Sequence, residues 1–203
     1  MDIFEYDASL REQGFSRIAG IDETGRGTLA GPVVAAAVVL KEGTRIDRLR
    51  DSKKVPEKER QYLFNKIQND SIDIGIGIVG PEEIDQLNIL RATRLAMQLA
   101  VKNLSVSPDL LVIDAVSLTT IPIEQLSPTK GESKSASVAA ASIIAKCVRD
   151  NIMLDLHHQY PDYNFKRHKG YSTREHIEML KLYGPCAIHR KSFNRVMSLD
   201  LPF

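Results

Sequence analysis

The chain has 203 residues, 43% of them apolar and 26% charged, with a formal net charge of +1. This length is enough to bury a substantial core, one domain is the default, and the composition is ordinary for a soluble globular protein. Cys147 and Cys186 form no C-x-x-C pair, which argues against a disulfide framework or a cysteine zinc site and fits a reducing cytoplasm.

The start, Met1-Asp2-Ile3-Phe4-Glu5, lacks the basic and apolar regions of a signal peptide, and no apolar run approaches the ~20 residues needed to span a bilayer. A cytoplasmic protein without a membrane segment is expected. The net charge conceals an asymmetry. Residues 130–195 carry 12 Lys or Arg against 6 Asp or Glu, whereas residues 1–129 carry 15 against 19. A basic C-terminal third facing an acidic site fits a phosphate-backbone footprint; a solvated charged face accounts for the charge equally well.

In chain order, Arg17 to Ile21 reads as a short apolar strand. It leads into Asp22-Glu23 and the turn Gly25-Arg26-Gly27. Side chains alternate along a strand, so two adjacent carboxylates share one site only if the strand ends there, as the glycines predict. Gly25-x-Gly27-x-x-Ala30 also matches a dinucleotide fingerprint, which requires a helix next. Residues 32–40 read instead as a second buried strand, so that reading is rejected.

A polar stretch with Asp51-Ser52-Lys53-Lys54 follows, and Pro56 opens a helix over Glu57–Asn69. Ile72–Val79 alternates and predicts a strand with one buried face. Pro81-Glu82-Glu83 starts a long helical region to about Leu104, and Leu110–Asp114 is an apolar strand ending in an acid. Helices are predicted from Ser135 to about His158 and from Thr173 to Tyr183, the latter stopped by Gly184-Pro185. The pattern predicts an α/β layer with a helical C-terminal lobe on the same core and no linker between domains.

Asp22 and Asp114 occupy equivalent places, each an acid after a four-residue apolar run. If the two strands are neighbours, the acids converge. Glu132, in the Gly131-Glu132-Ser133-Lys134 turn, is explained by helix capping or joins them. Converging carboxylates repel unless cations intervene, and two Mg²⁺ or Mn²⁺ ions about 3.5–4 Å apart would let such a site hydrolyse a phosphodiester.

The motifs together resemble the ribonuclease HII family, the bacterial type-2 RNases H, from about Ile18 to Val196. They comprise Ala19-Gly20-Ile21-Asp22-Glu23-x-Gly25-Arg26-Gly27, Asp51-Ser52-Lys53-Lys54, Ile113-Asp114, Ala139 to Lys146 with Arg149-Asp150, His168-Lys169-Gly170-Tyr171-x-Thr173 and His189-Arg190-x-Ser192-Phe193. The resemblance implies an RNase H-like fold, a central mixed β-sheet flanked by helices, and one catalytic domain over 1–197 whose helical part begins near 135. It implies an endoribonuclease that cuts the RNA strand of RNA–DNA hybrids and cuts 5′ of single ribonucleotides embedded in duplex DNA. Products would carry 5′-phosphate and 3′-hydroxyl ends.

By motif position, Asp22, Glu23 and Asp114 fall on the metal-binding acids, and Glu132 stands where the family usually has Asp. Gly25, Arg26 and Gly27 fall on the ribonucleotide-sensing turn and Tyr171 on the tyrosine that packs at the RNA–DNA junction. Lys53, Lys134, Lys146 and Lys169 are candidate phosphate contacts. Thr28 replaces a common proline, and Asn194-Arg195 replaces a common Ala-Pro. The tail 198–203 is similar to peptides that dock into bacterial sliding clamps, which implies a clamp partner through Leu199, Leu201 and Phe203; a self-packed or disordered tail is the alternative. A monomer is expected. The competing functions are another nuclease of this fold, such as a DNA resolvase, and a hybrid-binding module with a degenerate site.

Overall fold

The structure is a computed structural model and describes residues 2–198. Leu199, Leu201 and Phe203, on which the clamp expectation rests, lie outside the described residues. The chain opens with a helix that the sequence reading did not anticipate, α1 (Ile3–Glu12). Its signal was present in Asp2-x-x-Glu5, a capping box in which the Asp2 carboxylate accepts from the Phe4 and Glu5 amides and Glu5 accepts from the Asp2 amide.

The strands β1 (Ile18–Thr24) and β2 (Val33–Leu40) are antiparallel. They are followed by α2 (Glu57–Asp70) and β3 (Ser71–Val79), then α3 (Pro81–Leu87) and α4 (Ile89–Lys102). The predicted helical region is made of these two helices. Asn88 breaks it with a φ of +69° and caps α4, its side chain accepting from the Leu90 and Arg91 amides. Next come β4 (Leu110–Ile113) and a short strand not foreseen, β5 (Glu124–Leu126). The C-terminal part holds α5 (Ala136–Gln159), α6 (Phe165–His168), α7 (Arg174–Tyr183) and α8 (Asn194–Met197).

The five strands form one mixed sheet in the order β3-β2-β1-β4-β5, with β1, β4 and β5 parallel. Strand β2, Val-Val-Ala-Ala-Ala-Val-Val-Leu, is buried on both faces. Val34, Ala36 and Val38 face α5 and α2, while Val33, Ala35, Ala37 and Val39 face α4. Strand β1 meets α5 more closely still. A Cβ built on Gly20 would lie 2.0 Å from the Ser137 carbonyl carbon, so no larger residue fits while the helix rests on the strand.

Strand β3 has the one buried face expected, and it is the face of Gly75, Gly77 and Val79. It is an edge strand whose Gly75 and Gly77 touch α4, while Ile72 and Ile78 are exposed. A third apolar cluster joins Leu29 and Ala30 to Met153 of α5 and to Tyr163, Phe165, Leu180 and Val196 of the C-terminal lobe. The lobe is therefore anchored on the segment that follows the acidic strand, and an Ala30–His189 bridge reinforces the contact.

Candidate active site

The two acid-bearing strands are immediate neighbours. Strands β1 and β4 run parallel with Ile21 opposite Ile113, and the Asp114 amide donates to the Ile21 carbonyl at 3.3 Å. Asp22 and Asp114 therefore leave the same end of the sheet side by side. Strand β1 runs to Thr24 and stops at Gly25, as the glycines predict, so Asp22 and Glu23 lie among its last three residues, opposite Ala36 and Ala35 of β2.

The electrostatics tie the acids together. Burial first, then the charges of Glu23 and Asp114, push the Asp22 carboxyl well above the usual carboxylate range, with Ser142 and the Glu23 amide opposing. Burial also raises Glu23. Arg26 counters that effect, Asp114 adds to it, and Lys53 again opposes it. Lys53 follows Asp51 in a 3-10 turn at Ser52–Lys54, held to α5 by the Ser52–Ser142 hydroxyl pair at 2.8 Å. Burial works against the Lys53 charge, but Asp51, Asp22, Glu132 and Glu23 outweigh it and raise its pKa. Lys53 is thus the cation that the acids of β1 and the Glu132 turn have in common.

Each acid is held locally. Asp22 accepts from the Glu23 amide at 2.7 Å, Glu23 from Arg26 at 3.2 Å, and Asp114 from the Gly131 amide at 2.8 Å. The Glu132 Oε2 atom is buried with no hydrogen-bond partner. Among the described residues, no three His, Cys, Asp or Glu side chains are gathered into a ready-made metal cage. The donors that could hold an ion are nonetheless all carboxylate oxygens, the set that suits hard divalent cations. A buried oxygen without a partner and an acid made costly by its neighbours are both relieved when such a cation binds.

The neighbouring turn separates its two glycines by role. Gly25 has a φ of +92°, and a Cβ there would lie 2.3 Å from Arg149 Nε, so packing alone demands glycine. A Cβ on Gly27 would meet nothing within 4 Å, so nothing inside the chain requires the bare backbone there. Arg26, between them, is exposed and paired with Glu23. Thr28 is buried, donates to the Gly25 carbonyl at 3.0 Å and accepts from Arg149 at 2.9 Å.

Tyr171 is 40% exposed, and its ring lies 5.7 Å from Lys146 Nζ and 5.9 Å from Arg149 Cζ. Lys53, Arg60, Lys146, Lys166, Lys169 and Tyr171 line a cleft of about 340 Å³. Three of the four candidate lysines thus share one groove. Lys134 does not line it; it is exposed beside the Glu132 turn. Lys146 is also bound to Asp150 at 2.6 Å.

The sequence reading assigned no role to Ser142, Arg149, Arg190 or the buried histidines. His176 Nδ1 bonds the Tyr171 carbonyl at 2.9 Å, and its Nε2 meets His189 Nε2 at 3.0 Å. His189 Nδ1 in turn accepts from the Cys186 amide at 2.9 Å. With every proton placed, both rings are neutral: His176 donates to Tyr171, and His189 donates to His176. No local signal sets these residues apart, since Arg149 precedes Asp150, His176 follows Glu175, and His189-Arg190 precedes Lys191.

Residues 19–196 match the family described as Ribonuclease HII. A protein from Acetivibrio thermocellus described as "Ribonuclease HII" is 54% identical over 190 residues, 94% of this chain and 74% of that protein. The ribonuclease H2 crystal structure from Pyrococcus horikoshii is similar at a TM-score of 0.76 and 27% identity, covering 91% of this chain and 97% of that one. The ribonuclease HII in a PCNA complex from Archaeoglobus fulgidus is similar at 0.67 and 27%, covering 86% and 93%. A Bst-RNase HIII solved with Mn²⁺ shares the fold at 0.67 and 19%, covering 93% and 70%.

Proposed function

Since the chain belongs to the ribonuclease HII family, we propose how its own residues carry out that family's reaction. The protein is an endoribonuclease that degrades the RNA of RNA–DNA hybrids. The observation that carries the site assignment is the adjacency of β1 and β4, which brings Asp22 and Asp114 to one sheet end beside Glu23 and the Glu132 turn.

Asp22, Glu23, Asp114 and Glu132 are the residues that would hold divalent cations, Mg²⁺ or Mn²⁺. Such ions, when bound, polarise the scissile phosphate and lower the pKa of the attacking water. The chain's own residues do the rest. The exposed amides at Arg26 and Gly27 read the 2′-hydroxyl, the feature that separates RNA from DNA at one position. Gly27, without a side chain, leaves room for the sugar to approach. The half-exposed Tyr171 ring packs against the next, deoxy sugar, held between Lys146 and Arg149. Lys53 and the cleft lysines neutralise the phosphate backbone. A turn that recognises one sugar at a time supports cleavage 5′ of a single ribonucleotide, and attack of water on phosphorus with departure of the 3′-oxygen would leave 5′-phosphate and 3′-hydroxyl ends.

Residues 1–197 act as one catalytic unit in this reading, because the lobe's core includes Leu29 and Ala30 of the site segment. A sliding clamp is the proposed partner of the tail through Leu199, Leu201 and Phe203, supported by the PCNA-bound relative. No described helix is long and apolar enough to cross a membrane. The test is an end-labelled duplex with one ribonucleotide, incubated with Mg²⁺, Mn²⁺ or chelator. Cutting at the ribonucleotide only with metal supports the reading; cutting in chelator, or an active Asp22→Asn, overturns it.

A further inference from the structure

Arg149 of α5 and Arg190, beyond α7, are each 0% exposed. Among the described residues neither guanidinium has a carboxylate within ion-pairing distance. A buried charge without a counter-charge is costly and persists only if its protons are fully bonded. Here the partners are carbonyl oxygens and one hydroxyl. Arg149 Nε donates to Pro32 O at 2.9 Å, Nη1 to Lys169 O at 2.9 Å, and Nη2 to Ala30 O at 3.0 Å and Thr28 Oγ1 at 2.9 Å. Arg190 Nε donates to Gly31 O at 3.1 Å, Nη1 to Arg26 O at 2.9 Å, and Nη2 to Gly25 O at 2.6 Å and Gly31 O at 2.9 Å.

The chain from 25 to 32 is thus wrapped around two forks. Its carbonyls at 25, 26, 30, 31 and 32 point inward and are consumed. Among the described residues the Arg26 and Gly27 amides bond to nothing. In the two peptide groups that follow Gly25 and Arg26 the carbonyls are bound inside and the amides are left without a partner, whereas the Leu29 and Gly31 amides donate to the Gly170 and Ile188 carbonyls. Behind the turn stand two positive charges. Burial, then the Arg149 charge, lowers the Arg190 pKa to about 9, which still leaves it cationic at neutral pH.

We propose that Arg149 and Arg190 are positioning residues that set ribose selectivity: Arg190 holds the Gly25 and Arg26 carbonyls inward and Arg149 braces them through Thr28, so that the Arg26 and Gly27 amides face the substrate's 2′-oxygen. This rests on the reading of the 25–27 turn as the ribose-sensing element. Lysine cannot substitute, because a point charge with three donors has no planar fork to span several carbonyls.

The test is binding, separated from cutting by an Asp22→Asn background. Fluorescence anisotropy in Mg²⁺ gives the affinity for a duplex DNA with one ribonucleotide and for the same duplex without it. The parent favours the ribonucleotide. Arg190→Lys is expected to reduce that preference by about tenfold, the scale of a lost charged hydrogen bond, while affinity for all-DNA duplex stays nearly unchanged. Thr28→Val keeps the side-chain shape, removes the hydroxyl between Arg149 and Gly25, and should shift the preference the same way by a few-fold. It keeps the inference testable if Arg190→Lys does not fold. A folded variant that retains the parent's preference overturns the proposal, as does equal weakening on both duplexes. A parent with no preference fails at the earlier step, the reading of the turn itself, and removes this inference with it.

Discussion

The Asp114 carboxylate accepts a hydrogen bond from the Gly131 amide at 2.8 Å. The end of β4 and the turn that carries Glu132 therefore hold each other, although 17 residues separate them. Glu132 is delivered to the sheet end by this bond and arrives with a buried, unpartnered Oε2. Glu132→Gln should lower cleavage by at least about 100-fold if that oxygen is a metal ligand. Glu132→Asp keeps the charge and should retain more activity, with a shifted dependence on metal concentration. Rates measured over a Mg²⁺ and a Mn²⁺ series decide it, and equal activity of Gln and wild type would remove Glu132 from the site.

Asp22 is destabilising when ionised, because burial and the charges of Glu23 and Asp114 raise its proton affinity. Its neutral replacement Asp22→Asn should raise metal-free stability while abolishing cutting. Saturating Mg²⁺ should raise the Tm of the wild type through linkage and leave that of the variant nearly unmoved. Thermal unfolding with and without chelator reads both effects.

The two glycines of the turn should behave differently. Gly25→Ala forces a Cβ to 2.3 Å from Arg149 Nε at a φ of +92°, and should cost about 1–3 kcal/mol of stability. Gly27→Ala meets nothing and should stay within about 0.5 kcal/mol of wild type. Its defect should appear only with substrate, as weaker discrimination between ribose and deoxyribose. Denaturant melts and cleavage assays on the pair check this, and a Gly27→Ala enzyme with full selectivity would contradict the role given to that position.

Burial lowers His176 and His189 from 6.5 to about 4; His176 adds to the effect on His189 and His168 adds to it on both, while the Tyr171 carbonyl opposes it at His176. The folded state thus binds fewer protons than the unfolded chain between these values. Their contribution is complete above pH 6.5 and is lost as pH falls toward about 4, at up to about 1.4 kcal/mol per pH unit for each ring. Asp22 and Glu23, with raised pKa values, titrate in the opposite sense, so Asp22→Asn is the cleaner background. Denaturant midpoints across that interval measure the slope. The loop carrying Tyr171 should loosen first, since protonating both rings breaks the His176–His189 contact behind its carbonyl.

Much of the molecule was legible in one dimension. The apolar run at 33–40, the acid-terminated strand at 110–114 and the proline- and glycine-bounded helices signal themselves through local periodicity. So do the types of residue a phosphodiesterase site needs. Tertiary structure decided what local pattern cannot encode. It split one helical stretch at Asn88. It also distinguished Gly25 from Gly27, which look alike in sequence, because only one lies against a guanidinium. The bond from Arg190 to Gly25 spans 165 residues and uses a carbonyl, a group every residue possesses. No side-chain pattern announces such a partner, since hydrogen bonds to backbone depend on where the chain passes and not on which residue passes there.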